Sequence, residues 1–205
     1  MAIKRDNVFV WITWLVKVMA GEQSCEWASW FKAHHENYDK APSDFDSAKW
    51  KIDHTRKLRE LRIERQKKGE RVFLEGENQI RYNAPHGVTV VGRPDLITIK
   101  DDSPTIYDVK TGQQKASDQI QVMIYMHLLP LTIEAYRGKK PAGCVDYNET
   151  RLKIPRDVVD AKFIDDFTYF LDVIGSDEPA TKVPSRNECR FCDIAKTECP
   201  ERVES

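Results

Sequence analysis

The sequence carries almost no net charge: 32 Lys and Arg stand against 33 Asp and Glu, a formal −1 at pH 7. There is no global basic field to gather a polyanion, so any nucleic-acid contact has to come from a local patch. No apolar run reaches the roughly 20 residues that a bilayer-spanning helix needs, so no membrane partner is expected. The most apolar stretch, Val8 to Val16, follows Lys4 and Arg5 and loosely mimics a signal peptide. Against that, Asp6 sits in the charged region, Trp11, Thr13 and Trp14 interrupt the run, and Lys17 closes it. A buried first helix or strand is the better expectation. A disulfide framework is also missing: the five cysteines are odd in number and no convincing leader precedes them. The expected compartment is therefore the reducing cytoplasm, where clustered cysteines read as metal ligands. Internal repeats, low-complexity tracts, long linkers, zinc fingers and base-reading helices are absent too. Any nucleic-acid binding should then be sequence-independent and dominated by phosphate contacts.

What is present suits a globular α/β chain of 205 residues. Residues 8–38 read as helical and aromatic-rich, with Trp27, Trp30 and Phe31 near Cys25. After the break at Pro42-Ser43, a long charged helix is expected from Asp46 to Lys68, stopped by Gly69. Its apolar stripe is Trp50, Leu58 and Leu61, and His54 lies on that stripe. Residues 71–110 change period. Strands are expected at 71–74, 79–82, 88–92, 95–100 and 105–110, as an antiparallel meander. A helix follows from Ser117 to Leu129, ending near Pro130, then strands at 143–148 and 150–154, and a helix from Arg156 to Ile174. The architecture expected is a central mixed sheet flanked by helices, with a small cysteine-bearing tail.

The most informative stretch pairs Pro94-Asp95 with Asp108-Val109-Lys110. Strand geometry sends the side chains of Asp108 and Lys110 to one face. With 101–104 as the loop, Asp95 falls opposite Lys110 and diagonal to Asp108. Two carboxylates and an ammonium then share one face of one hairpin. Such a trio suits a hard divalent ion such as Mg²⁺ or Mn²⁺, which acidifies water and screens phosphate, beside a Lys that stabilises charge on phosphorus. The plain alternative is a surface ion pair between Asp108 and Lys110. One helix further on, Gln121 and Tyr125 stand at i, i+4 and share a face.

These residues resemble the PD-(D/E)XK nuclease superfamily, whose core is Pro-Asp, a hairpin, then Asp/Glu-x-Lys. The resemblance implies a metal held by Asp95, Asp108 and the backbone carbonyl of Val109, with Lys110 catalytic. Gln121-Val122-Met123-Ile124-Tyr125 is similar to the Q-x-x-x-Y motif of RecB-like members. That subfamily also carries a metal-binding His upstream of the sheet, for which His54 is the match.

Cys189, Cys192 and Cys199 form a C-x2-C-x6-C pattern that needs a fourth ligand, Cys25 or Cys144. The spacing itself suits zinc or a [4Fe–4S] cluster equally. One RecB-like subgroup, which includes CRISPR-associated RecB-like nucleases and the AddB nuclease domain, sets one early Cys with three late ones. By that resemblance Cys25, Cys189, Cys192 and Cys199 hold a [4Fe–4S] cluster, and Cys144 is left as a buried small hydrophobe. The resemblance spans about residues 20–201. It implies one nuclease domain over 1–205, with an N-terminal helical segment (1–45), a nuclease core (46–180) and a cluster-binding module (181–205).

The implied activity is an exonuclease on single-stranded DNA or single-stranded ends, in CRISPR spacer acquisition or recombination and repair. The alternative is a nuclease-fold DNA-binding or assembly subunit, active only beside an integrase or helicase. A zinc-stabilised DNA-binding protein with structural acids is a third reading. Arg56, Arg59 and Arg62 on the charged helix are candidates for tracking the DNA backbone, although Glu60 and Glu64 also make it an ordinary solvated face.

Overall fold

The computed structural model describes residues 2–204, apart from the side chain of residue 86; Met1 and Ser205, the ends of the expected domain, lie outside it. In chain order the elements are β1 (Ile3–Lys4), β2 (Phe9–Trp11), α1 (Ile12–Met19), α2 (Glu26–His34), β3 (His35–Glu36) and α3 (Ser47–Lys67). Then come β4 (Arg71–Leu74), β5 (Ile80–Asn83), β6 (Thr89–Gly92), β7 (Leu96–Lys100) and β8 (Ser103–Val109). The chain closes with α4 (Ala116–Thr132), β9 (Ala142–Asp146), β10 (Arg151–Ile154), α5 (Ala161–Gly175) and α6 (Arg186–Arg190). Two compact units emerge: Met1–Phe45 with Asn83–Val90 and Asp165–Ser205, and Asp46–Tyr82 with Val91–Ile164.

The second unit is an α/β layer built on a five-stranded mixed sheet of order β10-β9-β8-β7-β4. β8 is its centre, antiparallel to β7 and parallel to β9. A parallel neighbour needs a crossover connection, and α4 supplies it. β7 is buried along nearly its whole length, as a strand covered on both faces should be. On one face Leu61 of α3 packs into Leu96, Tyr107, Val109 and Cys144. On the other, α4 approaches β9 so closely that a Cβ at Gly143 would lie 2.5 Å from Val122 Cγ1.

α3 forms where its signals place it. The Asp46 carboxylate caps it by accepting from Lys49 N–H at 2.9 Å, and Gly69 ends it at φ +74°. Its apolar stripe is weaker than expected: only Leu61 is buried, and Trp50 is 45% exposed. Ion pairs along the helix, Asp53–Arg56 and Glu64–Lys68, suit so polar an element.

Other expectations need correcting. The strands are not a simple meander, because β4 pairs with β7 and skips β5 and β6. The hairpin turn is two residues long: Asp101 and Asp102 both take positive φ, 47° and 61°, as a tight hairpin demands. Pro104 thus lies inside β8, ahead of Thr105, where pairing with β9 begins. Pro130 does not end α4, which continues to Thr132. A proline removes its own N–H, but Ile133 N–H still reaches the Leu129 carbonyl and Thr132 Oγ1 donates to that of Leu128. Residues 8–38 open with a strand, β2, before two separate helices, and α5 starts at Ala161 rather than Arg156.

The first unit holds an aromatic core. Trp27, Trp30, Phe31 and His34 recur at helical spacing on α2, with Trp27 stacked on Phe31 and Trp30 on His34. Trp30 Nε1 donates to the Ser176 carbonyl, and His34 Nε2 lies 3.0 Å from that of Ile174. Ile194 and Cys199 of the tail pack into the same cluster. No helix among the described residues is long and apolar enough to cross a membrane.

Candidate active site

All the predicted nuclease side chains lie in the second unit, around the end of the β7–β8 hairpin. The two-residue turn moves the register by two from the expected pairing. Leu96 stands opposite Tyr107, which sets Asp95 level with Asp108 rather than with Lys110. A shift of two preserves the face each side chain occupies, so the trio still converges. Asp95 Oδ2 accepts from Val109 N–H at 2.7 Å, tying the two strands together.

Asp108 is 2% exposed. Burial pushes its carboxyl well above the usual range; the Lys110 charge opposes this and Asp95 adds to it. Lys110 Nζ lies 2.9 Å from Asp108 Oδ2. That contact is not aligned as a hydrogen bond, and Oδ2 has no other partner. Asp108 Oδ1 accepts from Gln121 Nε2 at 3.0 Å, while Gln121 Oε1 accepts from Lys110 Nζ at 2.9 Å. Gln121 therefore grips both members of the ion pair from α4. Tyr125, one turn on, meets Gln121 Nε2 at 3.1 Å and donates to the Arg93 carbonyl at 3.4 Å. Its phenol is held protonated chiefly by burial.

His54 reaches the same cluster from α3. Its Nε2 is 3.2 Å from Asp95 Oδ2, and that hydrogen bond favours the protonated ring more than burial disfavours it. Trp50 stacks on the imidazole with centroids 5.0 Å apart. Arg56, Arg59 and Arg62 lie exposed on the helix, and Arg56 donates to Asp53.

Sequence reasoning missed Asp118. Asp118 lies 3.5 Å from Lys110 Nζ and also accepts from Tyr147 OH at 2.8 Å. Its signal was available, since Asp118 precedes Gln121 by three on one helix and so shares its face. Lys57 Nζ sits 3.4 Å from both the Lys110 carbonyl and Asn148 Oδ1, and burial lowers its affinity for protons. It lines a cavity of about 370 Å³ with Asp53, Arg56, Asn148 and Arg151.

Among the described residues no three His, Cys, Asp or Glu side chains stand together as a formed metal site. The acids are instead engaged with His54, Val109 N–H, Gln121 and Lys110. The donor chemistry nonetheless fits a hard divalent ion: two carboxylates, a buried carboxylate oxygen without a hydrogen bond, and strand carbonyls beside them.

The cysteines separate as well. Cys144 is buried on β9 against Leu61, and burial raises its thiol to about 11. Cys25, Cys189, Cys192 and Cys199 line one recess in the first unit. Glu188 holds its two sides together, accepting from Ser24 N–H at 2.9 Å and Cys25 N–H at 3.2 Å. Val203 N–H points to Cys189 Sγ at 3.4 Å, and Arg202 donates to the carbonyls of Cys189, Cys192 and Ile194. Burial raises the thiols of Cys192 and Cys199, while Arg202 and Lys182 respectively act to lower them.

The family model for the PD-(D/E)XK nuclease superfamily matches residues 18–199. The crystal structure of SSO0001 is similar in fold, with a TM-score of 0.53 and 15% identity, covering 98% of this chain and 90% of that one. No curated protein matches in sequence.

Proposed function

Since the chain belongs to the PD-(D/E)XK nuclease superfamily, we propose that it is a metal-dependent deoxyribonuclease that degrades single-stranded DNA, or DNA with single-stranded ends, from the end. The observation that carries this reading is the Asp95–Asp108–Lys110 group, assembled on one buried hairpin and gripped by Gln121.

The reaction is hydrolysis of a phosphodiester: water adds to phosphorus, one P–O bond breaks, and the departing oxygen gains a proton. Asp95, Asp108, the Val109 carbonyl and His54 would hold Mg²⁺ or Mn²⁺, and such an ion supplies acidified water and screening of phosphate charge. Lys110 contributes a fixed ammonium for the charge that develops on phosphorus. Gln121 keeps that ammonium aimed, and Tyr125 keeps Gln121 from turning. His54 needs its neutral form to serve as a ligand, and its contact with Asp95 opposes this until a cation shares the carboxylate.

The cysteine recess belongs to the same proposal. Cys25, Cys189, Cys192 and Cys199 would hold a [4Fe–4S] cluster, as in CRISPR-associated RecB-like nucleases. Four thiols lining one recess and an N–H aimed at sulfur support this reading. With EDTA absent and Mn²⁺ present, labelled single strands should shorten progressively from one end. Cleavage confined to internal sites, giving no end products, would contradict the exonuclease part.

A further inference from the structure

Phe191 is 77% exposed, more than any other large hydrophobic side chain among the described residues. Core packing therefore does not explain it. The Arg190 guanidinium lies 5.4 Å from its ring centre. A second aromatic, Trp14, has Lys32 Nζ at 5.7 Å. Phe191 and Trp14 both border a cavity of about 340 Å³ in the first unit, together with Thr13, Lys17, Gln23 and Lys32. That volume sits at the small end of ligand pockets, which run from ~300 Å³ upward.

The charge at this pocket is also distinctive. Lys17 and Lys32 line it with one carboxylate, Asp193, and Arg190 adds a cation beside Phe191. Asp193 is already engaged, 3.3 Å from Lys32 Nζ and accepting from Tyr38 OH at 3.1 Å. Burial would raise its carboxyl, but Lys32 and Tyr38 outweigh that and hold it ionised. Lys17 is exposed in the last turn of α1. Two aromatic rings with cations beside them offer a flat apolar surface for a π-system and positive charge for the anion next to it. An unstacked nucleobase and its phosphodiester have that chemistry, whereas a paired base in a duplex does not expose its face.

We infer that this pocket, lined by Trp14, Lys17, Lys32 and Phe191, binds one base and the adjoining phosphate of a DNA single strand. The inference rests on the nuclease reading above and supplies it with a substrate-holding site outside the catalytic group. Every base has a π-face, so the pocket favours single strands without favouring a sequence.

The test is a binding titration of the intact, anaerobically prepared protein in EDTA, where cleavage cannot intervene. One fluorescent oligodeoxynucleotide carries thymines; a second of equal length has a base-free sugar-phosphate backbone. Phe191→Ala and Phe191→Leu should each weaken the thymine strand about tenfold and leave the base-free strand unchanged, while Phe191→Tyr binds like wild type. Lys17→Ala should flatten the slope of log affinity against log salt by about 0.7, one phosphate contact on a single strand. Iron content and melting midpoint establish that each variant is folded. Wild-type affinity of Phe191→Ala and Phe191→Leu for both strands would overturn the inference, as would equal losses on both. Cleavage in Mn²⁺ is assayed separately. Base-dependent binding without cleavage would sink the nuclease reading alone, and cleavage indifferent to Phe191 would sink the pocket alone.

Discussion

Gln121 Oε1 accepts a 2.9 Å hydrogen bond from Lys110 Nζ, and the same amide donates to Asp108, the residue against which that ammonium is paired. One side chain on α4 thus sets the positions of two groups on β8 and its end. Gln121→Ala leaves the ammonium held by acids alone. Cleavage should fall in kcat by about 10- to 100-fold, below the ~10²–10⁴ typical of losing a proton-transfer group outright. KM should change little and the melting curve should stay cooperative. A loss confined to KM would mean that Gln121 contacts substrate instead.

The close approach of α4 to β9 predicts a stability effect with a specific rescue. Gly143→Ala brings a methyl to 2.5 Å from Val122 Cγ1 and 2.7 Å from Met126 Sδ. Overpacking of this kind costs about 1–3 kcal/mol. Val122→Ala in the same chain should recover part of that loss, as residues in contact are not additive. Chemical denaturation of the two single variants and the double variant checks it; strict additivity would contradict the packing account.

Acid stability should depend on Glu64. Hydrogen bonds from Arg151 and Lys68 hold its carboxyl down to about 2, against an ordinary value of 4.5. The folded value lies below the unfolded one. Its contribution is therefore full above pH 4.5 and disappears as pH falls toward 2. Wild type should melt higher than Glu64→Gln at pH 7, with the gap closing in that acid window. The pair is partly exposed, so the gap corresponds to about 1 kcal/mol or less and shrinks with salt. A gap that widens on acidification would contradict the assignment.

The cysteine proposal makes a metal-removal prediction. Protein purified without oxygen should be brown and carry iron and sulfide, and Cys25→Ala should lose both and melt lower, because metal binding of this kind is folding energy. Cys144→Ala, on β9 under α3, should keep its iron. Zinc without iron in anaerobic material, or full iron in Cys25→Ala, would contradict the ligand set.

Much of this was legible where local chemistry decides the structure. Asp46 and Gly69 bound α3 because a cap and a positive-φ glycine act within a turn of where they sit. β4 matches its expected span for a similar reason, since its short apolar run, Val72–Leu74, lies between Gly69 and Gly76. Pairing is a different matter: nothing in residues 71–92 says that β4 will choose β7 over its sequence neighbour β5. The hairpin register was misplaced because Ser103-Pro104 has turn composition, while the αL positions went to Asp101 and Asp102. The face shared by Asp95, Asp108 and Lys110 survived that error, since a two-residue slip keeps parity. Asp118 went unseen because its contact with Lys110 forms only when α4 packs against β8.

The most direct measurement is cleavage of end-labelled linear single-stranded DNA in Mn²⁺ by wild type, Lys110→Ala and Asp108→Ala, all prepared anaerobically. The account predicts cleavage by wild type and a loss of at least ~10²-fold in both variants, with iron content unchanged. Equal cleavage by all three would contradict it.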